Sequence, residues 1–229
     1  MKKIAFIFLL TILFSCNKTT PDLTVKVTIN GLKKGTVYLK KAEDSLIVTV
    51  DSLAINGEDP IELHSNLESP EIFFIQLNRN TKQGEGITFF ADKGITEINT
   101  SLKNFSIDAQ IKGSTQQKEL EDFLQLMSRI NDRRLDIIKA DIEARKDNDS
   151  LKIKATKDAF NSLVKAKYLQ TVNFAMSHKD SEIAPYIALT EIADARIKWL
   201  DTINNALTPK VKASKYGQEL ELFISNRKK

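Results

Sequence analysis

Few side chains in this 229-residue chain are equipped for chemistry: one cysteine, Cys16, and two histidines, His64 and His178. Neither histidine has a second histidine four residues on, or a carboxylate at a zinc-ligand spacing. His64 follows Leu63 at a strand end and His178-Lys179-Asp180 reads as a helix-end loop, so no metal or acid–base role is expected of either. Asp51-Ser52 sets a hydroxyl beside a carboxylate, but a nucleophilic serine needs a histidine to take its proton, and no matching motif supplies one. Gly84-Glu85-Gly86 lacks the third glycine and the Gly-Lys-Ser/Thr of a phosphate loop, and reads as a hairpin connection. Asp141, Glu143, Asp147 and Asp149 lack the loop glycine and terminal glutamate of a calcium site and read as a solvated helix end. Arg129, Arg133 and Arg134 lie among Asp132 and Asp136, which suggests self-neutralising surface pairs rather than an anion site. Trp199, with Tyr186 and Tyr216, would line either a ligand groove among the late helices or, as aromatics at helical spacing more often do, a core. The pattern names no catalytic residue, no metal ligand, no cofactor and no ligand-binding residue.

The elements that must carry these residues change character near the middle of the chain. Apolar residues at 41% and charged residues at 28% suit a folding chain of one large domain or two modest ones. Leu23, Val25, Val27 and Ile29 alternate with polar residues, which predicts a strand with one buried face. Thr36 to Lys40 continues the period, and the β-branched run Leu46 to Val50 suits a buried strand. Further strands are expected at Ile61–His64, Glu71–Leu77, Gly86–Ala91, Ile95–Thr100 and Phe105–Ile111, with Asn30-Gly31 and Asn56-Gly57 as turns. From Ser114, which forms a capping box with Gln117, the period becomes helical. Leu120, Phe123, Leu124, Met127, Ile130, Ile137, Ile138 and Ile142 predict one long amphipathic helix to about Lys146, broken by Asp147 to Ser150. Four more helices are expected: one marked by Phe160 to Phe174, then Ile183–Ala193, Ile197–Ala206 and, after Pro209, Tyr216–Ser225. The expected fold class is α+β, an antiparallel β-sandwich over residues 22–113 followed by a helical region over residues 114–229.

The first residues read as an address. Lys2 and Lys3 precede an apolar run from Ile4 to Phe14 interrupted only by Thr11, a signal-peptide layout over residues 1–15. Eleven helical residues cover about 16 Å, too short for a hydrocarbon core of about 30 Å. Leu13-Phe14-Ser15-Cys16 resembles the lipobox of bacterial lipoproteins, in which the thiol receives diacylglycerol and the chain is cut before it. The resemblance implies lipidation at Cys16, a short tether over residues 16–21, and a membrane as partner through acyl chains, two or more of which are needed for stable anchoring. Loss of Lys2 and Lys3 lowers the net charge of +4 by two, which leaves no basic excess that calls for nucleic acid.

A second resemblance covers more of the chain. Ile29-Asn30-Gly31-Leu32, Gly35 to Lys41, Val50-Asp51-Ser52 and Asn56-Gly57, then Ile111-Lys112-Gly113-Ser114, Leu207-Thr208-Pro209 and Ser214-Lys215-Tyr216-Gly217, together resemble the N-terminal domain of unknown function in Bacteroidota thiol-disulfide interchange lipoproteins. In that family the Cys-x-x-Cys lies in a downstream thioredoxin-like domain. The sequence to Lys229 has no such pair, so no catalytic residue carries over, and Cys16 is consumed by acylation. The resemblance implies a non-enzymatic cell-envelope lipoprotein whose preserved part is the non-catalytic module. An outer-membrane anchor is expected, with the body facing the periplasm because Asn17 to Asp22 hold one acidic residue rather than an acidic export tag, and a thioredoxin-like protein in trans is the expected envelope partner. A ligand- or glycan-binding lipoprotein is the alternative expectation, and an enzyme of unrecognised type a third.

Overall fold

A computed structural model describes residues 20–43, 46–78 and 86–229; the leader, Cys16 and most of the tether lie outside the described residues. Among the described residues, eight strands precede six helices. The strands are β1 (Leu23–Asn30), β2 (Gly35–Glu43), β3 (Leu46–Ile55), β4 (Ile61–Ser65), β5 (Glu71–Leu77), β6 (Ile87–Ala91), β7 (Gly94–Ser101) and β8 (Gln110–Lys112). The helices are α1 (Thr115–Lys146), α2 (Ser150–Ser177), α3 (Ile183–Glu191), α4 (Ile197–Ala206), α5 (Pro209–Lys212) and α6 (Lys215–Arg227). The expected α+β class holds. None of the described helices is long and apolar enough to cross a membrane.

The strands form two four-stranded sheets, in the orders β4-β1-β7-β8 and β3-β2-β5-β6. Alternation in β1 works as the period of two requires, with Leu23, Val25 and Val27 fully buried and the intervening residues partly exposed. Three details depart from the expectation. First, β1 and β7 pair in parallel, Leu23 opposite Gly94 through Asn30 opposite Ser101, while the other pairings are antiparallel. Alternation specifies a face, not a direction, and strands this far apart in sequence have room for the crossover that parallel pairing needs. Second, β3 is an edge strand rather than a buried one, with Leu46 and Ile47 exposed, because β-branched residues suit a pleated surface whether or not it is covered. Third, the segment expected as a strand over 105–111 is mostly turn, and only Gln110–Lys112 pairs with β7.

The second sheet lies between two cores. Phe73, Ile75, Phe89 and Ala91 point into the sandwich core with Leu23, Val25, Val37 and Leu39. Their neighbours Ile72 and Phe90, on the opposite face, belong to the helical core with Phe123, Ile187, Leu200 and Leu220. β5 and β6 are therefore apolar on both faces, and the helices make a third layer over them. Gly113 sits at the joint of β8 and α1 with φ +112, and a Cβ there would lie 2.1 Å from the Ile95 carbonyl oxygen, so only glycine fits.

The long helix is covered in its first half only. Leu120, Phe123, Met127 and Ile130 are buried, whereas Leu124, Ile138 and Ile142, expected on the same apolar face, are exposed, as is Leu135. Beyond Ile130, α1 runs as a two-helix arm with the first half of α2, its only fully buried α1 residue being Ala144. Asp149 caps α2, accepting hydrogen bonds from the Leu151 and Lys152 amides.

Candidate functional site

A polar cleft opens where the sandwich meets the helices. Its volume is about 730 Å³, and its walls include Asn66, Glu68, Glu71, Lys215, Gln218 and Leu222. Lys41 and Glu71 occupy inward positions of their strands, in step with Val37 and Leu39 on β2 and with Phe73 and Ile75 on β5. At the end of the sandwich a charged residue can hold such a position only if paired. Glu71, with 7% of its side chain exposed, meets the Lys215 ammonium at one oxygen and the Lys41 ammonium at 3.6 Å from the other. Lys215 also donates to the Ala42 carbonyl at 2.6 Å, and its backbone N–H donates to Ser69 Oγ at 3.2 Å. Both ammonium groups are thus engaged, and with Glu43, Glu68 and Glu219 also in the walls the lining keeps an excess of carboxylates.

The N-terminus of α6 is held close by a local device. Ser214 Oγ accepts from the Gly217 N–H and donates to the Val211 carbonyl. A Cβ on Gly217 would lie 2.0 Å from the Val211 carbonyl oxygen, so α5 and α6 approach as only glycine permits. Tyr216 is thereby delivered to the sheet, where its hydroxyl accepts the Ile72 N–H at 3.0 Å. Gln117, from the first turn of α1, accepts the Phe90 N–H at 2.8 Å. Two strand donors left open by the sheet are satisfied by the helical layer. Burial raises the Tyr216 phenol well above the ordinary tyrosine range, the Ile72 hydrogen bond opposing it, and burial also raises Tyr186.

Of the residues singled out in sequence, Tyr186 and Tyr216 do come together. Their rings lie 5.1 Å apart, tilted to each other, and both stand edge-on to Phe90, so they are core. Trp199 instead packs beside the helical core under the Lys198 ammonium. Asp51, Ser52 and His64 also meet, although not as a catalytic group. Asp51 accepts from the backbone N–H groups of Ser52 and His64, both at 2.7 Å, and ties β3 to β4; the His64 ring lies 3.3 Å from Thr24 Oγ1. His178 stacks on Phe174 at 4.0 Å and its Nδ1 lies 2.8 Å from the Phe174 carbonyl, closing the end of α2.

The acidic run is structural as well. Asp141 accepts from Arg145 at 2.5 Å and from Thr156 at 2.7 Å, and these bonds hold its carboxyl below the usual range; Asp149 is lowered first by the Lys152 N–H that it caps. The pairs expected for Arg129, Arg133 and Arg134 are not made among the described residues: the arginine that pairs on α1 is Arg145. An arginine three residues before an aspartate is the weaker helical orientation. Gly84 and Glu85 lie outside the described residues, and among those described no cluster of three or more His, Cys, Asp or Glu is grouped to hold a metal ion.

Sequence reasoning missed both buried carboxylates, Glu71 and a second at the start of α3. Glu182, 1% exposed at the start of α3, accepts from Gln116 Nε2 at 2.9 Å, and Ser181 beside it donates to Glu119. These bonds fix α3 to the first turn of α1. The legible signal for Lys41 and Glu71 was their parity in otherwise apolar strands; nothing local to Glu182 or Lys215 marks them.

Residues 23–120 match the family described as Domain of unknown function (DUF4369). No curated protein and no solved structure matches the chain. The match to this domain of unknown function spans the strands and reaches past the last of them into α1 as far as Leu120, taking in Gln117 and stopping before the arm.

Proposed function

We propose that this chain is a lipid-tethered, non-catalytic module of the bacterial cell envelope, accessory to thiol-disulfide exchange carried out by a thioredoxin-like protein in trans. The observation that carries the reading is the position of Cys16, the sole sulfhydryl, at the end of a leader whose basic start precedes an apolar run of eleven residues. Diacylation there leaves about six residues of tether before β1, enough to stand a folded body at the membrane and too few to let it range far. The N-terminal domain of unknown function supports the likeness to thiol-disulfide interchange lipoproteins, whose non-catalytic part the motifs resemble. In this reading the anchor is in the outer membrane and the body faces the periplasm.

The test is fractionation and intact mass of the full-length protein with and without Cys16→Ala. The native chain is expected in the membrane fraction, cut before Cys16 and heavier than its peptide by the acyl groups, with Cys16→Ala released or left as the uncleaved precursor. An unmodified thiol at position 16 overturns the anchor, and purification from envelope that recovers no thioredoxin-like protein overturns the partner. One observation favours a second reading, a lipoprotein that binds a small polar ligand: the cleft of about 730 Å³ beside Glu71. A rise in melting temperature with an envelope sugar or peptide, lost on Gln218→Ala, would select it.

A further inference from the structure

The arm made by α1 and α2 buries one seam and leaves another uncovered. Toward α2 it turns Ile137, half-buried, and Ala144, fully buried, and Thr156 crosses to Asp141. Away from that seam stand Leu135, Ile138 and Ile142, exposed by 66%, 40% and 61%, with Leu124 two heptads before Ile138. Their spacing of three and four residues is that of a coiled-coil stripe. The next position of the stripe toward the body is Asn131 and the next toward the tip is Arg145, so the apolar part is short and bounded.

The charges beside the stripe say what covers it. Asp132 and Lys139 flank it on one side, Arg134 and Asp141 on the other, one heptad apart in each case. We infer that the stripe is a two-fold interface with a second copy of this chain, the two α1 helices antiparallel, Leu135 of each against Ile138 of the other. In that register Asp132 faces Lys139 and Arg134 faces Asp141 across the interface. The two-fold axis repeats each pair, so all four contacts are attractive. Asp141 keeps acceptor sites for this beside those used by Arg145 and Thr156, since a carboxylate offers about four. A parallel pairing would set Arg134 against Lys139 twice, which selects against it. Each copy brings its α2 along, and the product is a four-helix bundle of two hairpins.

The contact runs from Asn131 to Arg145, about 21 Å of helix, which is short for a stable interface, so association is concentration-dependent. Sedimentation equilibrium of the full-length protein in detergent, over about a hundredfold range of concentration, tests it. The native chain is expected to pass from monomer to dimer, and Ile138→Glu to remain monomeric with an unchanged melting curve. Asp132→Lys is expected to weaken the dimer about tenfold, and adding Lys139→Asp to restore it. A native chain that stays monomeric, a dimer indifferent to Ile138→Glu, growth beyond a dimer, or a charge exchange that fails to restore association overturns the interface. None of these outcomes bears on the lipid at Cys16.

Discussion

The two halves of α1 are continuous in backbone and similar in apolar content, yet they meet different surroundings. From Thr115 to Ile130 the helix lies against the sheet and the other helices, buries Leu120, Phe123, Met127 and Ile130, and lends Gln117 to β6. From Asn131 to Lys146 it has only α2 for company, and its large apolar residues apart from Ile137 stand in solvent. Amphipathic spacing therefore reports that a helix has an apolar face, not that the chain itself covers it. The difference separates substitutions that damage the fold from those that should change only what the fold meets.

The largest effect is expected where the body leaves no free space. Gly217→Ala would force α5 and α6 apart at a contact of 2.0 Å and should cost on the order of 3 kcal/mol or more, read as a fall in the urea midpoint. A loss below about 0.5 kcal/mol would mean that the α5–α6 junction yields, and that the body is less sharply distinguished from the arm than its packing implies.

A smaller loss is expected at the sheet–helix junction. Tyr216→Phe keeps the ring against Phe90 and Tyr186 but strips the Ile72 N–H of its acceptor, a cost of about 1–3 kcal/mol for a buried donor left alone. The same phenol gives the body a pH dependence. Its folded pKa is raised, so its contribution is whole below the ordinary tyrosine value near 10 and is lost as pH climbs toward the folded value. Urea unfolding at rising alkaline pH should therefore show a steeper decline for the native chain than for Tyr216→Phe. Parallel curves for the two would remove Tyr216 from the junction's energetics.

How much of this was legible beforehand follows the same division between local and distant causes. β5 and α4 were readable in full, as Glu71–Leu77 and Ile197–Ala206, because a period and its flanking breaks lie within the segment. The parallel pairing of β1 with β7 and the edge position of β3 were not, since they depend on which strand arrives alongside. The junction cleft was less legible still: Lys41, Glu71 and Lys215 come from three separated stretches, and the inward parity of the first two, a local sign of buried charge, was not drawn from the sequence. Tyr186 and Tyr216 were grouped with Trp199 as aromatics of the late helices, but the backbone donor that Tyr216 satisfies belongs to a residue 144 positions away.

The smallest effect belongs to the arm, and it bears most directly on the contrast within α1. Leu135→Glu replaces a side chain already 66% exposed, removes little packing within one chain, and keeps a residue type that helices accept. Its effect on unfolding measured in dilute protein, where the chain is monomeric, should fall within about 0.5 kcal/mol of zero. The corresponding substitution in the covered half, Phe123→Glu, would bury an unpaired carboxylate in a fully enclosed site beside Phe174 and should prevent folding. If Leu135→Glu proved as damaging in dilute protein, the exposed stripe would have to be closed by its own chain, and a second copy would no longer be needed to account for it.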